Sequence, residues 1–184
     1  MIQTLAATPT APTALLGSET VSVSMRPMRG DEFADWLPET QVGYAEDMVR
    51  DAGLEPERAA AKAAADFEQL FPGGRPSAGQ LVYVLEAEGE PVGNLWLCER
   101  EDSFQKGMFV YNIWIDEQYR GRGYGKEAML LAEEEARRRG IDKISLNVFG
   151  GNTAARGLYS SLGYEENAIS MSKRLQSAPA PQQP

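Results

Sequence analysis

With 184 residues, of which 42% are hydrophobic, the chain has material for one domain with a real core. Its 18 Lys and Arg face 27 Asp and Glu, a net charge of −9 that argues against nucleic acid or an anionic membrane as a partner, since both want a basic face. Histidine is absent and Cys98 is the only cysteine, which excludes a disulfide framework, a Cys-based zinc site and the usual general base.

Residues 1–20, rich in Ala, Thr and Pro, read as a disordered leader, and 176–184 read the same way as a tail. That leaves 21–175 as the domain. No Lys or Arg precedes Arg26, so a secretory signal's basic start is missing, and no apolar run is long enough to span a membrane. The cytoplasm is the expected location.

Along 21–28, Val21, Val23 and Met25 alternate with serines and Arg26, the period of an opening strand. Phe33, Trp36, Leu37, Thr40, Tyr44 and Met48 then recur at spacings of three and four, one face of a helix. Pro38 is placed to kink or divide it. EPERAAAKAAADFEQLF is a second helix by propensity, with Pro56 in its first turn and PGGRP as its stop. Residues 80–100 read as two strands around a turn at 88–91. GMFVYNIWID is almost continuously apolar, which predicts a central strand buried on both faces. A glycine-rich turn follows, then a helix through about Arg139. Gly140 fits its stop, and Arg137, Arg138 and Arg139 complement its negative end. KISLNVF (143–149) predicts a further strand. Asn152 caps a helix over TAARGLYSSL that Gly163 closes. Over 168–175, Ile169, Met171, Lys173 and Leu175 alternate, which predicts a last strand. The order gives a mixed α/β sheet with helices on its faces.

The turn Arg120, Gly121, Arg122, Gly123, Tyr124, Gly125, Lys126 concentrates positive charge in an acidic chain. It fails the dinucleotide fingerprint, because Lys126 stands where the third glycine belongs. It fails the triphosphate loop too: three residues separate Gly121 from Gly125, and Glu127 follows Lys126. The first N–H groups of a helix lack internal partners and carry partial positive charge, and glycines let a phosphate come close. A phosphate site and a solvated turn both fit these residues.

Residues 120–125 match the pattern [Q/R]-x-x-G-x-[G/A], and NIWIDEQYRGRGYGKEAMLLAEEEARRRG with ISLNVFGGNTAARGLYSSLGY extends the likeness from about Met108 to Leu175. This stretch resembles the GNAT superfamily of acetyl-CoA-dependent N-acetyltransferases. The resemblance implies a central, mostly antiparallel sheet with splayed central strands and helices on both faces. It implies acetyl-CoA as cosubstrate, with no metal, and main-chain N–H groups of Gly121 to Lys126 on the CoA diphosphate. It also implies that Ile113, Trp114 and Ile115 offer main-chain bonds to the pantetheine arm. From Ile115 back to Tyr111 a strand covers roughly 13 Å, a scale that suits an extended arm. Asn152 is expected to touch the cofactor as well as cap its helix.

Acetyl transfer needs a neutral amine, and a lysine-like amine is uncharged in only roughly one molecule in a few thousand at pH 7. The resemblance makes Tyr159 the general acid that protonates the departing thiolate; as a bare pattern, Ala155, Leu158, Tyr159 and Leu162 also read as a core stripe. Where one branch of the family carries a basic Glu, five residues before the helix-opening Asn, this chain has Asn147, and Asn112 is equally non-basic. Asp47, Glu46 and Asp116 are the acids to weigh. Trp36, Tyr44, Trp96 and Tyr111 either line an acceptor pocket or pack the core, and Cys98 reads as a small buried side chain. The expected acceptor is a small-molecule or peptide amine, with a weak lean from the acidic charge toward a cationic one. A homodimer is plausible through a strand edge. The alternative is a non-catalytic acyl-CoA binder of the same fold.

Overall fold

The computed structural model describes residues 22–101, 106–171 and 173. The elements are β1 (Val23–Pro27), α1 (Gly30–Ala52), α2 (Pro56–Leu70), β2 (Gln80–Ala87), β3 (Glu90–Glu101), β4 (Lys106–Ile115), α3 (Tyr124–Arg138), β5 (Ile144–Leu146) and α4 (Thr153–Ser161). The strands lie in the order β1-β2-β3-β4-β5; all neighbours are antiparallel except β4 and β5, which are parallel. The β2–β3 turn is tight because Glu88 and Gly89 both take positive φ (54° and 85°), the backbone of the short hairpin turn that matches strand twist.

Two cores cover the two faces of the sheet. Leu85, Leu95, Leu97, Val110 and Ile113 pack against Ala128, Met129 and Ala132 of α3 and Ala155 and Tyr159 of α4. On the other face, Trp96 is fully buried among Trp36, Phe67 and Phe71 from the α1–α2 layer, with ring centroids 4.9–5.8 Å apart. Those spacings are the offset and edge arrangements aromatic rings favour.

Three expectations change. Pro38 does not divide its helix: α1 runs unbroken for 23 residues. Buried Phe33 and Trp36 before the proline, and Tyr44 and Met48 after it, tie both halves to one core, which offsets the lost backbone bond of about 3 kcal/mol. The strand expected over 143–149 shrinks to Ile144–Leu146. The last strand is not formed at Ala168 to Met171 or at Lys173; Ile169 and Met171 are exposed and gain no burial. Val21 of the opening strand, residues 172, 174 and 175, the 1–20 leader and the 176–184 tail lie outside the described residues.

The end of α3 does more than complement a dipole. Glu135 is buried and is bonded by Tyr83 Oη at 3.0 Å, by Arg139 Nε at 2.6 Å and by Arg138. Burial works to raise the Glu135 pKa, but the bonds from Arg139 and Tyr83 and the nearby charge of Arg138 outweigh it and hold the carboxyl below its ordinary value. A depressed carboxylate pKa contributes stability above the unfolded value, and that contribution disappears as pH falls through the folded one. Glu135→Gln should therefore lower urea stability by about 2–3 kcal/mol at pH 7. The gap to wild type should narrow below about pH 4.5, and a pH-independent gap would contradict this assignment.

Candidate active site

The β4–β5 ladder has only three pairs, Met108 with Ile144, Phe109 with Ser145 and Val110 with Leu146. Beyond them, among the described residues, no further ladder pair joins β4 on that edge. On its other edge β4 stays paired with β3, but the register skips Tyr111: Trp96 faces Asn112 and Leu97 faces Val110. Tyr111 is the extra residue of a bulge, which bends the strand where its neighbour leaves.

Past the bulge the main chain has a definite phase. Asp116 N–H donates to Val92 O at 3.0 Å, and antiparallel pairs alternate in facing one neighbour or the other. Trp114 shares that phase, so its main chain is turned to β3. Ile113 and Ile115 turn theirs to the open side, and the Ile115 carbonyl accepts from Arg120 Nε at 2.9 Å. Of the strand residues expected to offer main-chain bonds, Ile113 and Ile115 face the open edge and Trp114 faces β3. The Trp114 ring instead lies under the Arg120 guanidinium, 4.7 Å from its carbon, and its Nε1 donates to Asp116 Oδ1 at 3.0 Å.

The turn after β4 brings the expected residues to one point. Gly121 and Gly123 have φ of 76° and 86°, which only glycine adopts without strain. Among the described residues, none accepts from the N–H groups of Gly121, Arg122, Gly123, Tyr124 or Gly125; Lys126 N–H is the first engaged, on Gly123 O at 2.9 Å. Successive free donors at a helix N-terminus, with its dipole behind them, are an arrangement that favours an anion. Tyr124 contributes only main chain, because its ring is buried in the α3 core. Arg122 is held by Gln118 O at 3.2 Å and lies 5.6 Å from the Tyr119 ring. Lys126 is exposed beside them.

Helix α4 closes the other wall. Asn152 caps it as expected, its Oδ1 accepting from Ala155 N at 3.1 Å. Leu158 approaches the α3 mouth, its Cδ2 3.5 Å from where a Gly125 Cβ would stand. Tyr159 is 3% exposed, and its hydroxyl finds no hydrogen-bond partner among the described residues. Burial pushes its pKa well above the ordinary phenol value, so it stays protonated.

The weighed acids are spent elsewhere or exposed. Asp47 is buried against Arg50, Asp116 accepts from Trp114, and Glu46 is on the surface. Trp36, Tyr44 and Trp96 are core residues; Tyr111 alone of that set is half-exposed, stacked on Trp96 at 4.4 Å. Cys98 is buried, and desolvation raises its pKa, which leaves no thiolate nucleophile. Among the described residues no cluster could hold a metal ion, and no helix is long and apolar enough to cross a membrane.

Residues 37–164 match the acetyltransferase (GNAT) family. The chain belongs to this family. The uncharacterized N-acetyltransferase YycN of Bacillus subtilis is 35% identical over 156 residues, which is 84% of this chain and all of YycN. The YycN crystal structure superimposes with a TM-score of 0.78, covering 85% of this chain and 100% of that one. An acetyltransferase structure from Pyrococcus furiosus follows at 25% identity and a TM-score of 0.64, covering 84% of this chain and 100% of that one. The aminoglycoside N-acetyltransferase AAC(6')-Iy, crystallised with CoA, shares the fold at 17% identity and a TM-score of 0.56, over 88% of this chain and 100% of that one. The family makes this chain an acyltransferase with a splayed, mostly antiparallel sheet.

The splay needs β3 to hold β4 closely. A Cβ on Gly93 would stand 2.0 Å from Trp114 O, too close for any side chain. Gly93→Ala should part the strands there and lower stability by about 3 kcal/mol, read from the urea midpoint. A midpoint equal to wild type would show that this close approach is not needed.

Proposed function

We propose that the protein transfers an acetyl group from acetyl-CoA to a primary amine of a small-molecule or peptide acceptor, by direct attack. The observation that carries this is the run of free N–H donors from Gly121 to Gly125, in line with the open edge of β4. A diphosphate matches those donors, flanked by Arg120, Arg122 and Lys126, and an extended arm matches Ile113 and Ile115. A nearby CoA complex in a protein of the same fold supports the choice of cofactor. When bound, acetyl-CoA supplies the activated acyl group.

Within this reading Tyr159 holds the proton that the leaving sulfur takes. Its raised pKa keeps the proton on oxygen until then, and its unpartnered hydroxyl is free to donate. Asn152 shapes the wall as a helix cap. Removal of the amine proton falls to solvent in the open cleft, since Asp47 and Asp116 are committed. Cys98, buried and protonated, fits transfer without a covalent enzyme intermediate. A cytoplasmic setting and a homodimer through the outer edge of β5 belong to the same reading. The second reading, acyl-CoA binding without transfer, is motivated by those committed acids; tight acetyl-CoA binding with no thiol release across an amine panel would establish it.

Gly123→Glu places bulk and negative charge at the helix mouth. It should abolish CoA binding by calorimetry, and unchanged affinity would remove the mouth from the cofactor site. Tyr159→Phe should lower kcat about tenfold or more while the CoA Kd moves less than twofold. Equal turnover in both proteins would strike Tyr159 from the chemistry.

A further inference from the structure

We propose that Arg100, exposed at the edge of the cleft, binds an anionic group of the acceptor, and that the acetylated amine also carries a carboxylate. This rests on the acetyl-transfer reading above and names the acceptor's chemical class. Arg100 leaves β3 and lays its guanidinium over two rings of β4, 4.0 Å from the centroid of Phe109 and 4.9 Å from that of Tyr111. Its Nη2 donates to Tyr111 Oη at 2.7 Å. Among the described residues it has no carboxylate partner, in a chain where 27 acids face 18 bases.

The other arginines give that absence its meaning. Arg26, Arg29, Arg50, Arg137, Arg138, Arg139 and Arg156 are each ion-paired; Arg58 and Arg75 have no ion pair among the described residues but are not held over a ring, so what sets Arg100 apart is being both fixed and unpaired. Among the described residues, the arginines held over aromatic rings are Arg100, Arg120 and Arg122, and none of them pairs with an acid; Arg100 reaches over β4 from β3, and the other two lie in the turn that leaves β4. A carboxylate partner would cancel the charge. A ring face and a neutral oxygen fix the guanidinium while leaving its charge and most of its five N–H donors unspent. Arg120 and Arg122 flank the diphosphate turn, and Arg100 is held the same way at the other end of the strand.

Its place fits the acceptor. Tyr111 is the bulge residue, so the guanidinium stands one tyrosine side chain away from the point where β4 loses β5 and the thioester would lie. Tyr111 stacks on Trp96 of the α1–α2 face, whereas the helix mouth and Tyr159 belong to the α3–α4 face. A cofactor held from the latter leaves the former to the acceptor. A guanidinium can pair bidentately with a carboxylate or a phosphate, but its single charge balances a carboxylate and leaves a phosphate of nearly two negative charges under-compensated; further cations stand at Arg120 to Lys126 instead. The net charge of −9 points toward a cationic acceptor, but charges more than about 8–10 Å away are largely screened at physiological salt, so the contact decides.

The direct test follows the arginine Nε–H resonances of the CoA-saturated protein, with Arg100→Lys to assign the Arg100 signal. The probes are N-acetylglycine, N-acetyl-β-alanine and N-acetyl-γ-aminobutyrate, each beside its amide. The Arg100 signal should move with at least one acid and not with its amide. No movement with any acid, or equal movement with acid and amide, overturns the proposal. Kinetics on the parent amines, as acids and amides, give the second arm: Arg100→Gln should cut kcat/KM for free acids about tenfold or more, with Arg100→Lys retaining part of it and the amides losing under threefold. Equal losses for acids and amides count against it. If the resonance moves while no amine yields free thiol, the anion site stands and acetyl transfer fails.

Discussion

The structure depends on hydrogen bonds that β4 does not make. Its ladder with β5 stops at Val110 and Leu146, and the open edge of β4 and the helix mouth lie past that point. An unpaired backbone donor in a dry interior costs about 1–3 kcal/mol, so such an edge persists only where water or a ligand reaches it. The rest of the sheet confines the opening to one side. Asp116 remains bonded to Val92, and Gly93 lets β3 approach Trp114 O more closely than any side chain allows. One edge is clamped and the other released, and the phase of the clamped edge determines that Ile113 and Ile115 face the gap.

The two cores divide the labour around that gap. On one face α3 and α4 bring a helix mouth and a buried phenol to the strand. On the other, α1 and α2 build an aromatic layer whose outermost member, Tyr111, touches both Trp96 and Arg100. The bulge at Tyr111 is what lets one strand serve both faces. It sets Tyr111 and Asn112 out of simple alternation, so that Val110 and Ile113 both remain in the α3–α4 core.

Local chemistry made much of this legible in the sequence. Gly121 and Gly123 announce positive φ, Asn152 announces a cap, and Gly140 a stop; each acts through its own backbone. The features that escaped depend on partners distant in the chain. The shortness of β5 reflects where β4 bends, which residues 143–149 do not encode alone. The alternation at Ile169 and Met171 shows strand propensity, yet a strand needs an edge to join, and none of the described residues there is paired. Pro38 carries a local backbone cost, which the burial of the Phe33, Trp36, Tyr44 and Met48 side chains overrides. The phase that turns Trp114 to β3 is fixed by register with Val92. Arg100 carries no local signal, because its meaning lies in which rings it meets and which acids it does not.

The absence of a committed base also bears on the acceptor. A lysine side chain is neutral in roughly one molecule in a few thousand at pH 7, so a site that acetylates it must take up a proton efficiently. An α-amino group of a peptide, with its pKa near 7.7–8.0, is neutral in roughly one molecule in ten at the same pH. The second acceptor asks far less of the protein. Asp47 is held by Arg50 and Asp116 by Trp114, so neither is free to take that proton, and the proposed anion site adds a fixed cation at Arg100. A short peptide joins a weakly basic amine to a carboxylate in one molecule. Within the proposed acetyl transfer, an acceptor of that kind asks the least of the residues that line the cleft.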